Sequence, residues 1–294
     1  VATAPSATYL IASGASVNAG RFAGGRLAGG LTVDDAVLSG TMESVAVEFN
    51  AFVGIWGQSN AIGRALRSDI SASPLSSDAG LATYDSGTFD RVWIWTGSVF
   101  AKLQPSVNNQ ALTGQFGPEF GLAVRWMRET STGDLYILKN GYGGQSIVYF
   151  EPTAGTGYLN GETEHVQAEA WLTSNAPAID QRAMIWIQGE SDETQTESWY
   201  RTRLNALVSA MVSDGIRGAS DKLILAQMHP STDTYGIGVA AAKAAYVTDN
   251  PTFASAPEMP FYMKADNIHT DGRGQVQMGN DYAATLFGFP AVSV

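Results

Sequence analysis

Apolar and polar positions change rhythm about fifty residues into the chain. From there, short and nearly continuous apolar runs alternate with longer stretches in which apolar residues recur every three or four positions. Residues 51–56, 135–139, 183–188 and 223–228 are runs of the first kind. Each predicts a strand covered on both faces, as in a parallel sheet. Residues 260–263 are a further candidate strand. Helices are predicted at 118–130, where Phe120, Val124 and Met127 share a face, and at 199–212, where Tyr200, Leu204, Leu207 and Met211 fall at helical spacing. The alanine-rich segment 238–248 and the closing segment 274–287 complete the set. Strands joined by crossovers of helix length predict a three-layer α/β/α sandwich.

The first 48 residues follow another pattern. They are rich in Gly, Ala, Ser, Thr and Val, lack tryptophan, and set short β-like runs between Gly and Asp turn signals. Segment 19–30 nearly duplicates a Gly-rich unit. The expected division is a small β-rich module or stalk over 1–48 and an α/β domain over 49–294, with a flexible tail as the alternative for the first part. Such a module suits attachment to a larger particle, such as a phage tail or cell-surface assembly, or a role in oligomerisation. That reading favours an extracellular or particle-associated setting over the cytoplasm.

Charge narrows the partners. Lys+Arg 17 against Asp+Glu 28 leaves a net −11, which disfavours both nucleic acid and anionic membranes. No apolar run approaches the ~20 residues that span a bilayer. The start, Val1-Ala2-Thr3-Ala4-Pro5, shows neither the basic nor the apolar region of a signal peptide. With no cysteine, disulfides, thiolate metal sites and a cysteine nucleophile are excluded.

The chemistry gathers at predicted strand ends. Ser59 follows the first strand, 141–146 follows the second, and Gln188 to Asp192 follow the third. In open α/β sheets such loops share one edge, where ligands bind. Ser59 is then a candidate nucleophile, although a serine after a strand also serves as a helix cap, and residues 60–66 read as a helix. Of the three histidines, His165 lies in a polar stretch that reads as an exposed loop or helix start. His229 ends the 223–228 strand and suits a supporting or substrate contact. His269 has Asp266 three residues before it, a spacing that lets the carboxylate take the Nδ1 proton while Nε2 faces the serine. Asp271 competes for that role, but its two-residue spacing points it elsewhere. Oxyanion donors are sought in the Ser59 amide, an amide of Gly143 or Gly144, and the Gln188 side chain. No Gly-x-Ser-x-Gly elbow, His-Glu-x-x-His or Walker loop occurs. No cofactor or metal is expected.

Four blocks in this order carry a resemblance: Gly57-Gln58-Ser59-Asn60, Gly143-Gly144-Gln145-Ser146-Ile147, Trp186-Ile187-Gln188-Gly189-Glu190-Ser191-Asp192, and Asp266 with His269. Together they are similar to the SGNH hydrolases, in particular the sialate O-acetylesterase-like carbohydrate esterases, over roughly residues 50–285. The resemblance implies a flavodoxin-like parallel sheet and a Ser59, His269, Asp266 triad. It also implies an oxyanion hole from Ser59, a glycine of the second block and Gln188. Glu190 and Asp192 would hold the third loop and the histidine loop. Gln58, Asn60 and Tyr142 are expected to touch substrate. Trp56, Trp93, Trp95, Tyr142, Tyr149 and Phe150 either stack on sugar rings at this edge or pack in the core. The expected activity is removal of O-acetyl groups from an acetylated polysaccharide or sialic acid through an acyl-enzyme. Its rivals are an esterase or lipase for small or lipid esters, and a glycan-binding adhesin whose active site has lapsed.

Overall fold

The apolar run that begins at Ala51 becomes the central strand of a seven-stranded sheet, because it can pair on both sides and bury both faces. In the computed structural model the described residues are 25–26, 32–33, 49–66, 86–107, 110, 114–228, 236–258, 263–266 and 268–289. Contacts divide the chain into Val1–Val45 and Ala46–Val294. Of the first unit, one antiparallel pair is described, Gly25–Arg26 with Thr32–Val33. The rest of the expected module lies outside the described residues, as do His229 and most of candidate strand 260–263.

In the second unit the sheet strands are β1 Ala51–Gly57, β2 Val92–Trp95, β3 Phe100–Lys102, β4 Leu135–Gly141, β5 Gln181–Ile187, β6 Lys222–Leu225 and β7 Ala254–Ser255. Their spatial order is β7-β6-β5-β1-β4-β2-β3. All neighbours run parallel except the edge pair β2 and β3. The helices are the single turn α1 Ser59–Ile62, then α2 Pro118–Glu129, α3 Thr156–Asn175, α4 Glu197–Ser213, α5 Ile237–Asp249 and α6 Gly272–Phe287.

Alternation along each strand builds two cores. Ala51, Val53 and Ile55 of β1 point to one face and pack with α2 and α6, including Trp126 and Tyr282. Phe52 and Trp56 point to the other, with Tyr158 of α3, Leu204 of α4 and Val239 of α5. The result is the three-layer α/β/α sandwich expected. Trp56, Trp95 and Phe150 are buried in the second core, and Trp93 stacks on Tyr136 under the Lys102 ammonium. These four aromatics therefore fill and cover the core.

Two helical readings change. The segment after Ser59 leaves helix at Gly63, whose φ of 91° and contact with the Phe116 and Gly117 backbone admit no side chain, and Ala65–Leu66 then pairs with Gln115–Phe116. His165 is neither exposed nor in a loop. It is buried in the middle of α3, on a stripe with Tyr158, Gly161, Ala168 and Leu172.

Candidate active site

Register brings the site together. Gly57 of β1 lies opposite Gly141 of β4 and Ile187 of β5, so the three strands end at one level. Two residues beyond stand Ser59, Gly143 and Gly189. At Gly57, where φ is 140°, a Cβ would fall 1.9 Å from the Ile187 carbonyl oxygen. The tight exit that presents Ser59 therefore requires glycine. Beneath it, the buried Lys139 ammonium donates to the Ile62 carbonyl and to Glu119 Oε2 (2.8 Å), which fixes the end of the nucleophile turn.

Ser59 is 4% exposed, and its Oγ lies 2.8 Å from His269 Nε2. His269 Nδ1 lies 2.7 Å from Asp266 Oδ2, while Asp266 Oδ1 accepts from the amides of Ile268 and His269, each at 2.9 Å. Burial pushes the Asp266 carboxyl up, but the hydrogen bonds from the His269 side chain and from the two amides outweigh it and hold the group at about 2. A carboxylate so placed keeps the proton on Nδ1 and leaves Nε2 to accept from the serine. Asp271 instead caps α6, accepting from the Gly274 amide at 3.0 Å.

Several expected contacts fall elsewhere. Gln188 is buried, its Nε2 donating to Asp192 Oδ2 (2.6 Å) and to the Gln145 carbonyl (3.2 Å), while its Oε1 accepts from the Tyr200 hydroxyl (2.6 Å). Both amide hydrogens are committed, so this side chain is a brace and not a free oxyanion donor. Asn60 is equally engaged, donating to Glu190 Oε1 (2.6 Å) and the Ile268 carbonyl (3.0 Å), and accepting from the Thr270 amide (3.2 Å). It ties the nucleophile turn to the third and histidine loops, out of substrate's reach. Tyr142 turns from the cleft to pack on Tyr149, and its hydroxyl accepts from Asn160 at 2.9 Å. Gln58 does line the cleft, with Oε1 accepting from the Ser191 amide at 3.3 Å.

Asp192 accepts from Ser146 Oγ (2.6 Å), the Ile147 amide (2.7 Å) and Gln188, and so joins the second and third loops. Glu190 reaches the histidine loop through Asn60. Its Oε2 is buried without a hydrogen-bond partner among the described residues. The amides of Ser59, Gly143 and Gly144 have no acceptor among the described residues, and both glycines border the cleft.

The cleft measures about 540 Å³. Its walls include residues that pattern reading passed over: Arg64, Gln115, Glu193, Met228, Met263, Lys264 and Ile268. Lys243 was missed as well. It is buried under the third loop, donating to the carbonyls of Gln188 (2.7 Å) and Ala226, and burial pushes its ammonium down to about 8 against the pull of Glu190 and Asp192. A lone lysine on the stripe Val239, Ala242, Lys243, Tyr246 is the signal that could have found it.

A mostly parallel sheet that sets a serine beyond its central strand, in hydrogen-bonded series with a histidine and an aspartate of the loop before α6, has the arrangement of a hydrolase of the SGNH type. The family model for carbohydrate esterase, sialic acid-specific acetylesterase, matches residues 49–287, and the chain belongs to that family. The protein is thus a carbohydrate O-acetylesterase. Among solved structures, a protein from Arabidopsis thaliana is similar at TM-score 0.61 and 17% identity, covering 82% of this chain and 98% of that one. NanS is similar at TM-score 0.54 and 12% identity, covering 83% and 98%. At these identities the likeness speaks for the fold. A comparison with curated proteins finds no match.

Proposed function

We propose that Ser59 is the nucleophile of a two-step O-deacetylation, with His269 as general base and then acid, and Asp266 as the group that orients it. The Ser59 to His269 to Asp266 hydrogen-bond series carries this reading. Ser59 Oγ attacks the acetyl carbonyl as His269 Nε2 takes its proton. The oxyanion is met by the amides of Ser59 and of the Gly143-Gly144 turn, which have no other acceptor among the described residues. Collapse expels the sugar oxygen, which receives the proton from His269. Water, deprotonated by His269, then cleaves the acetyl-serine and releases acetate. Among the described residues, five charged side chains around the cleft, Arg64, Glu190, Glu193, Lys264 and Asp266, suit a hydroxyl-rich substrate better than an acyl chain.

Ser59→Ala is expected to lower hydrolysis of an aryl acetate by at least ~10³-fold while leaving the unfolding midpoint in place. Retained turnover would overturn the assignment. A series of acyl lengths on one leaving group should favour acetyl, and a preference for octanoyl would shift the reading to lipid esters.

A further inference from the structure

We infer that Arg64 is a further catalytic residue, its guanidinium donating to the oxyanion that forms when Ser59 attacks the acetyl carbonyl. The inference rests on the esterase reading above and deepens it, supplying the contact that the engaged Gln188 side chain does not give.

Against the sequence expectation, the oxyanion hole is one donor short. Both Gln188 amide hydrogens are engaged by Asp192 and the Gln145 carbonyl, which leaves the amides of Ser59 and of the Gly143-Gly144 turn. Arg64 stands beside that turn. Its terminal nitrogen is 2.7 Å from where a Gly143 Cβ would be, and Ser59 Cβ is 3.9 Å from that same point. The guanidinium and the nucleophile thus flank one small space, left open because residue 143 has no side chain. Gly144 has a φ of 69°, which by itself favours glycine. Gly143 has no positive φ, and what a Cβ there would do is push the guanidinium away from the turn.

The Arg64 backbone is pinned while its side chain is unengaged. The next residue, Ala65, pairs with Phe116, and the Lys264 ammonium donates to the Arg64 carbonyl. Lys264, the other cation of the described lining, is engaged in that way. The Arg64 side chain is half-buried in the cleft wall, with no hydrogen-bond or ion-pair partner among the described residues. Attack by Ser59 forms the Oγ–C bond and moves the carbonyl π pair onto oxygen, so a full negative charge develops where a dipole stood. A donor already in place gains most from that change, and a charged donor gains more than an amide. The effect is local, depending on one hydrogen bond and not on the sum of charge around the cleft. Collapse returns the pair to the carbonyl as the sugar oxygen leaves with the proton from His269.

The test compares wild type with Arg64→Met, Arg64→Gln and Arg64→Lys on two probes. One is an aryl acetate, which carries no sugar. The other is methylboronic acid, which forms a tetrahedral anion on a serine nucleophile. Arg64→Met and Arg64→Gln should lower kcat on the aryl acetate by roughly a hundred- to a thousandfold, with KM nearly unchanged. The boronate inhibition constant should rise by a similar factor, because the adduct mimics the charge that the guanidinium meets. Arg64→Lys, which keeps a charge without the planar fork, should fall between. An unchanged kcat would overturn the role, as would a loss carried by KM alone. A kcat loss that comes with a lowered denaturant midpoint and an unchanged boronate constant would make Arg64 structural and overturn it too. Should Arg64→Met fail to fold, the Gln and Lys variants give the same readings. None of these results bears on the esterase reading, which fails only if Ser59→Ala retains aryl acetate hydrolysis.

Discussion

Asp192 and Asp266 are both carboxylates of the active-site loops, yet their surroundings give them different tasks. Asp192 is 2% exposed and accepts three hydrogen bonds from two loops. Asp266 is 44% exposed at its side chain and faces His269. Replacing Asp192 by Asn sets an NH2 group against donors that need an acceptor. We expect Asp192→Asn to lose about 1–3 kcal/mol of stability. It should also slow turnover by roughly ten- to a hundredfold, as the Gly143-Gly144 turn shifts against Ser59. Asp266→Asn should leave denaturant midpoints almost unchanged and lower kcat by roughly 10⁴, since the histidine tautomer is no longer set. Paired urea titrations and steady-state kinetics would check both, and an Asp266→Asn enzyme that is unstable but active would contradict the division. Because Asp266 stays ionised down to about 2, its own protonation should not shape activity above pH 3. The triad pair was visible in the sequence because its three-residue spacing is local. The direction of Gln188 was not, because Tyr200 of α4 and Asp192 decide it.

At the scale of elements, α3 shows how the buried face of a helix escapes pattern reading. Its inward stripe uses Gly157, Gly161, His165 and Ala168 where a hydrophobic count looks for Leu or Ile. Strands β1, β4 and β5 were legible for the opposite reason, since each contains an unbroken run of buried, mostly apolar positions covered on both faces. The His165 ring packs near Phe52, at 5.3 Å between centroids, and neither ring nitrogen has a hydrogen-bond partner among the described residues. Glu169 is 3.8 Å away and binds Arg182 instead. Burial pushes the imidazole down to about 4, against the pull of Glu169. The folded state thus stays unprotonated while an unfolded chain takes up a proton near 6.5. Between those values the unfolded state binds more protons, so stability falls as pH drops from about 6.5 to 4, by up to about 3 kcal/mol from this group. His165→Phe should flatten that part of the pH profile. Unfolding free energies measured across pH 4–7 would check it, and an unchanged slope would show that other groups set acid sensitivity.

For the whole molecule, the catalytic layers and the chemistry coincide in one stretch of chain. The family match runs over 49–287, the contact-defined unit is Ala46–Val294, and every residue of the proposed triad, loops and cleft falls inside both. Both cores close within that stretch too, with Phe49 and Phe287 packed around Trp126 near its two ends. A unit of about 240 residues buries ample surface to fold independently. The change of rhythm near residue 50 was readable because a Gly- and Ser-rich segment gives way to strand-length apolar runs. What the first segment does was not, because short β-like runs between Gly and Asp turn signals carry no side-chain chemistry that points to a task. We therefore propose that residues 1–48 serve attachment or assembly and contribute nothing to the chemistry. A chain starting at residue 49 should unfold cooperatively at the same denaturant midpoint. Its kcat/KM on aryl acetate should match that of the longer protein, since the proposed triad and the described lining of the cleft all lie beyond residue 48. Its mass in solution, measured by light scattering beside the longer chain, should fall if the segment assembles the protein. A shortened chain with intact mass but a lost active site would place part of the catalytic machinery in those first residues.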